Sequence, residues 1–139
     1  MSLDFGQINW LAVIVAAVAA FMVGGVWYGV VFEKAWVQSY GFREDELKEM
    51  AAKQPRNFGI FFAGSTVIAC VLSLLLAALE INTAAEAAAF GGLLWLGLLA
   101  TMGAAQTAAT NKPLKLYLIT AGHQLAEVVT ISAILGAWR

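Results

Sequence analysis

Four long apolar stretches alternate with short polar ones along this chain, at residues 8–32, 57–79, 84–110 and 114–138. Each exceeds the roughly 20 residues that an α-helix needs to cross a hydrocarbon core of about 30 Å. The pattern predicts an all-α fold: a polytopic membrane protein, a four-transmembrane-helix bundle forming a single domain over residues 1–139. One long polar segment interrupts it, EKAWVQSYGFREDELKEMAAKQPR at 33–56. Within that segment residues 43–53 are expected to be helical. Glu44 with Lys48 and Glu49 with Lys53 are favourable i,i+4 pairs, and Leu47, Met50 and Ala51 make an apolar strip. The prediction is a short amphipathic helix on the membrane surface, ended near Pro55. A solvated charged loop and a partner-docking segment are the competing readings.

The first stretch carries Ala12, Ala16, Ala20 and Gly24 at every fourth position, a helix-packing stripe that lets a neighbour approach closely and is expected to join copies of the chain. Ala17-Val18-Ala19 has the look of a signal cleavage site, but no basic residue precedes it and the apolar run continues to Phe32. Residues 8–32 are therefore read as a retained span. Trp10 marks one membrane interface, and Trp27, Tyr28 and Trp36 mark the other. In the second stretch Gly59, Ala63, Thr66, Cys70, Ser73 and Ala77 share a face; such Ser and Thr hydroxyls usually bond their own backbone or a neighbouring helix. The turn 80–83 is short enough to make spans two and three antiparallel neighbours, and Thr83 with Glu86 forms a capping-box pattern. Glycines 91, 92, 97 and 103 follow no phosphate-loop spacing and suit close helix contacts. No convincing internal repeat is read, which argues against an inverted-repeat transporter within one chain.

The fourth stretch carries chemistry. LKLYLITAGHQLAEVVTISAILGAW holds His123, Gln124 and Glu127 near its middle. Glu127 lies roughly 20 Å in from Leu114, near the bilayer midplane. An ionisable residue there costs at least about 2.5–3.5 kcal/mol, so it should face protein or water. His123 and Glu127 are i,i+4 and share one face, which Thr120 and Thr130 extend. Counting depth along untilted helices sets Thr66 and Thr101 level with His123, as possible partners, and Cys70 level with Glu127. A His/Glu pair at that depth is expected to hold one proton between them.

The chain of 139 residues is 61% hydrophobic and 12% charged. That is about half the charge of a soluble domain, and with a mean hydropathy of +0.79 it supports the membrane reading. A net charge of −1 with no basic stripe argues against a nucleic-acid partner. Lone Cys70 cannot form an intrachain disulfide, and two i,i+4 ligands are too few for a metal site, so neither metal nor cofactor is expected. Four spans put loops 33–56 and 110–115 on one side. That side holds Lys34, Arg43, Lys48, Lys53, Arg56, Lys112 and Lys115, against Arg139 alone on the other. Seven against one is a positive-inside signal: loops in the cytoplasm, both termini outside.

Residues 8–36, INWLAVIVAAVAAFMVGGVWYGVVFEKAW, resemble the opening signature of the bacterial membrane family known as domain of unknown function 1761. The shared features are Asn9-Trp10, Gly24 and Gly25 before Trp27-Tyr28, then Phe32, Lys34 and Trp36. The stretch 112–138 is similar to that family's last span. Gly29-Val30-Val31 stands where the family often has a proline after its Trp-Tyr step. The resemblance implies a four-helix membrane protein and no particular activity. It assigns no role to His123 or Glu127.

Three functions fit these residues. One is a helix-packing structural or accessory subunit that self-associates or joins another membrane subunit. Another is a small oligomeric channel or transporter with a polar path at His123 and Glu127. The third is a membrane enzyme acting on a lipid or quinone, with the pair as acid and base but no nucleophile beside it. Catalysis is the least supported of the three.

Overall fold

The structure, a computed structural model, describes residues 2–138, and all regular elements among them are helical. After a single 3-10 turn at Phe5–Gln7, α1 spans Trp10–Val26 and runs on as a π-helical stretch, Trp27–Val31. Two short helices follow, α2 (Glu33–Tyr40) and α3 (Glu44–Ala52), then α4 (Gln54–Ala78). α5 (Ala84–Leu94) passes through a second π-helical stretch, Trp95–Ala100, into α6 (Thr101–Ala109), and α7 covers Leu114–Ala137. The spans Trp10–Val31, Gln54–Ala78, Ala84–Ala109 and Leu114–Ala137 are long and apolar enough to cross a membrane. The fold is an all-α four-helix membrane bundle.

Local chemistry explains the boundaries. α1 starts at Trp10 because the Asn9 side chain accepts the Ala12 amide at 3.1 Å. Gly41, at φ 79°, ends α2 in the left-handed conformation. That helix was not anticipated in the polar segment. α3 is the expected amphipathic helix, and Lys53 holds the exposed Glu49 carboxyl below its usual range, first by hydrogen bonding and then by charge. Pro55 does not end it. Pro55 sits in the first turn of α4, where its missing N–H has no intrahelical partner to lose, so α4 begins three residues before the expected 57. At α5 the Thr83 hydroxyl accepts the Glu86 amide at 3.2 Å and donates to its carboxylate at 3.0 Å.

α7 is the central helix, packing against α1, α4 and the α5–α6 span. Despite the short turn at 80–83, neither α5 nor α6 packs extensively along α4. A seam of small residues draws α5 to α7 instead. Gly91 lies against Ser132 and Val128, and Gly136 against Ala87 and the Thr83 carbonyl. Ala12, Ala16 and Ala20 are completely buried in the core with Ala69, Leu72 and Ile131. The α1 stripe is therefore used inside the chain, which corrects the expectation that it joins one copy to another.

Packing differs between the two halves of the bundle. Toward the termini, Val13, Ala16, Leu76, Ile131 and Leu135 belong to one apolar core. Toward the 33–56 loop, every α4 residue from Phe58 to Gly64 is exposed, as is most of α6. Phe21 meets Phe58 and Phe62 edge-on and is α4's anchor at this end. Arg139, the lone basic residue on the termini side, lies outside the described residues.

Candidate intramembrane polar site

α7 and α1 exchange aromatic rings across a pair of glycines. A Cβ on Gly24 would stand 3.0 Å from His123 Nε2, and a Cβ on Gly122 would stand 2.9 Å from Trp27 Cζ2. Each ring fills the notch left by the other helix's glycine. Trp27 opens the π-helical stretch and donates its indole N–H to the Ile119 carbonyl at 3.0 Å. Tyr28, the next residue, packs its ring 4.9 Å from the imidazole and holds its hydroxyl beside Thr120. π-helical turns of this kind recur at functional sites.

On the next face of α7, Ser65 of α4 donates to Glu127 Oε1 at 2.6 Å. His123 Nε2 is buried without a partner, and no hydrogen bond joins His123 to Glu127 among the described residues. The two are neighbours by charge, so the anticipated shared proton has no direct hydrogen bond to occupy. Thr66 and Thr101 do not reach the site. Each donates to its own helix, to Phe62 O at 2.8 Å and Gly97 O at 2.9 Å, as threonine hydroxyls in apolar helices commonly do. Thr130 and Cys70 are half-buried, and Gln124 makes no side-chain hydrogen bond among the described residues. Depth counting selected Thr66. The buried face of α4, with Ser65, Ala69, Leu72 and Leu76 at helical spacing, is the signal that singles out Ser65 instead.

A second tryptophan grips α7 from the other flank. Trp95 opens the second π-helical stretch and donates to the Ala121 carbonyl at 2.8 Å. Tyr117 returns the contact by donating to Ala100 O at 2.8 Å. The two tryptophans sit in related surroundings: Gly24-Gly25-Val26-Trp27-Tyr28-Gly29 and Gly91-Gly92-Leu93-Leu94-Trp95-Leu96-Gly97. The following spans correspond too, since Pro55 precedes Ala63-Gly64 as Pro113 precedes Ala121-Gly122.

Among the described residues no group of three His, Cys, Asp or Glu could hold a metal. An open hollow of about 620 Å³ lies at the termini end, beside Asp4 and Glu80, and a cavity of about 40 Å³ lies between Asn9, Ser73 and Trp138. Neither reaches His123 or Glu127.

Four helices of spanning length, three of them packed against the polar-cored α7, define a small polytopic membrane protein. The chain belongs to the family described as protein of unknown function DUF1761, whose model matches residues 11–136. No curated protein and no solved structure matches it.

Proposed function

We propose that this is an integral protein of the bacterial inner membrane that works as a helix-packing structural or accessory subunit, associating with copies of itself or with another membrane subunit. One observation carries the reading: Glu127 and two backbone carbonyls of α7 accept hydrogen bonds from neighbouring helices. Ser65 bonds Glu127, and Trp27 and Trp95 bond α7 carbonyls, while neither of the two cavities at the termini end reaches the pair. With the α1 stripe already buried, self-association falls to the outer faces, where Gly92 and Gly97 have open space beside them.

The test compares Glu127→Gln and Glu127→Leu with wild type. Glutamine keeps the shape and can still accept from Ser65, so stability should hold. Leucine leaves the Ser65 hydroxyl and His123 without their polar neighbour and should cost about 1–3 kcal/mol. Proton and solute flux in liposomes should be absent in wild type and in both variants. A wild-type flux that Glu127→Gln abolishes would establish a transporter instead.

Topology is checked separately. Reporter fusions at residue 45 should read as cytoplasmic and at residue 139 as external, on the seven-to-one distribution of Lys and Arg. An external signal from residue 45 would reverse the orientation.

A further inference from the structure

At the termini end of the bundle, three polar side chains converge on one small space. The cavity of about 40 Å³ there is lined by Gln7, Asn9, Ser73, Leu135 and Trp138. Asn9 caps α1, Ser73 belongs to α4, and Leu135 and Trp138 stand at the end of α7, so the space lies where three spans meet. Ser73 is its inner wall. It is only 5% exposed and lies about 7.5 Å inside the Ala78 end of α4. Thr66, Thr101, Thr107 and Thr110 each donate a hydroxyl to a carbonyl of their own helix. The Ser73 hydroxyl makes no such bond, nor any other among the described residues. A hydroxyl buried without a partner is costly, and the cavity is the one place from which a partner can reach it.

The other two polar side chains are each half committed. Asn9 Oδ1 accepts the Ala12 amide at 3.1 Å, which leaves the Nδ2 protons to donate. Gln7 Nε2 donates to Asp4 Oδ2 at 3.3 Å, which leaves Oε1 to accept. The walls therefore offer a donor, an acceptor and a hydroxyl that can be either. No ionisable side chain lines the cavity, so nothing there balances the charge of an ion, and the occupant must be neutral. A water needs at least about 10–15 Å³ of such space and about two to four polar partners. Both conditions are met, and the volume excludes anything much larger.

We infer that this cavity is a hydration site, in which an ordered water accepts from Asn9 Nδ2, donates to Gln7 Oε1 and completes the hydrogen bonding of Ser73 Oγ. Asn9 then serves twice: its oxygen caps α1, and its amide reaches α4 through the water. The bridge fastens the start of α1 to α4 beside the end of α7. It does not depend on the structural role proposed above, since a bundle of any function can be held this way.

The test uses isotope-labelled full-length protein in lipid nanodiscs. Cross-relaxation between water and the Asn9 side-chain amide protons is read by NMR in the laboratory and rotating frames. Opposite signs in the two frames mark a water held for nanoseconds or longer, and are expected for wild type. Ser73→Val fills the space with methyl groups and should abolish the signal. The Ala12 amide resonance, set by the Asn9 cap, should stay in place and shows that α1 still starts there. Ser73→Ala adds no bulk and removes one partner of the water, so it should lower the signal without moving that resonance. It decides the matter if the valine variant does not fold. Equal signs in wild type, the mark of bulk water or of proton exchange, would overturn the inference. So would a signal of full intensity in either Ser73 variant, since the water would then lie outside this cavity.

Discussion

Gly136→Ala should be among the most damaging single-methyl changes in this protein, lowering bundle stability by about 1–3 kcal/mol or more. The added Cβ would overlap Ala87 Cβ and the Thr83 carbonyl oxygen. Neither obstacle can rotate away: one is a methyl on the backbone and the other is the backbone itself, at the capped start of α5. Relief requires α5 to withdraw from α7, which loosens Gly91 from Ser132 and breaks the seam as a unit. In lipid such a loss is not offset by hydrophobic burial elsewhere, because association rests on packing. Gly91→Ala should cost somewhat less, since its first obstacle is the Ser132 hydroxyl. That hydroxyl is buried without a partner, so Ser132→Ala should be neutral or mildly stabilising and should soften the Gly91→Ala defect. Gly92→Ala is the control. It adds the same methyl one residue away, with nothing within 4 Å, and should be neutral or favourable. Unfolding in mixed micelles, followed by tryptophan fluorescence, ranks the four. Equal effects at Gly92 and Gly136 would mean that the α5–α7 seam does not hold the bundle.

These contrasts also mark where a sequence is legible. Hydropathy located all four spans to within three residues at each end, because lipid demands an unbroken apolar helix of a given length. Periodicity likewise placed α3, and Thr83-x-x-Glu86 predicted the cap. It did not separate Gly91, which is locked against Ser132, from adjacent Gly92, which is open. In a bilayer both the lipid-facing and the protein-facing sides of a helix are apolar, so composition carries no sign of which face is inside. The same ambiguity assigned the Ala12, Ala16, Ala20 and Gly24 stripe to contacts between copies, whereas Ala12, Ala16 and Ala20 fill the core and Gly24 receives His123. His123 and Glu127 stood out because ionisable groups are rare at that depth. Ser65, a small hydroxyl common in such helices, did not. Trp27 reads from sequence as an interface anchor, and nothing in the sequence singles out Trp95. Their hydrogen bonds to Ile119 and Ala121 depend on two π-helical stretches that no local pattern of side chains announces.

The ring exchange between α1 and α7 yields a prediction with an internal check. In Gly122→Ala the new Cβ would lie 2.9 Å from Trp27 Cζ2 and 3.3 Å from Cη2. The indole cannot retreat freely, because its N–H is committed to Ile119 O on the same helix it must move away from. The variant should therefore lose part of that hydrogen bond along with the ring contact, about 1–3 kcal/mol in all. Trp27→Phe alone should lose the indole donor, roughly 0.6–1.7 kcal/mol on the scale of interhelical hydrogen bonds in membranes. A phenylalanine ring lacks the far edge that Gly122 accommodates. In the Trp27→Phe background, Gly122→Ala should then cost little. The two changes must be strongly non-additive, with the double variant close to Trp27→Phe alone. Trp95→Phe supplies the comparison: it removes the equivalent donor from Ala121 O but leaves Gly122 alone, so its effect should add to that of Gly122→Ala. A four-way stability cycle in mixed micelles checks both statements. Additivity between Trp27→Phe and Gly122→Ala would show that the indole does not sit in the glycine notch, and the placement of His123 against Gly24, set by the same helix crossing, would fall with it.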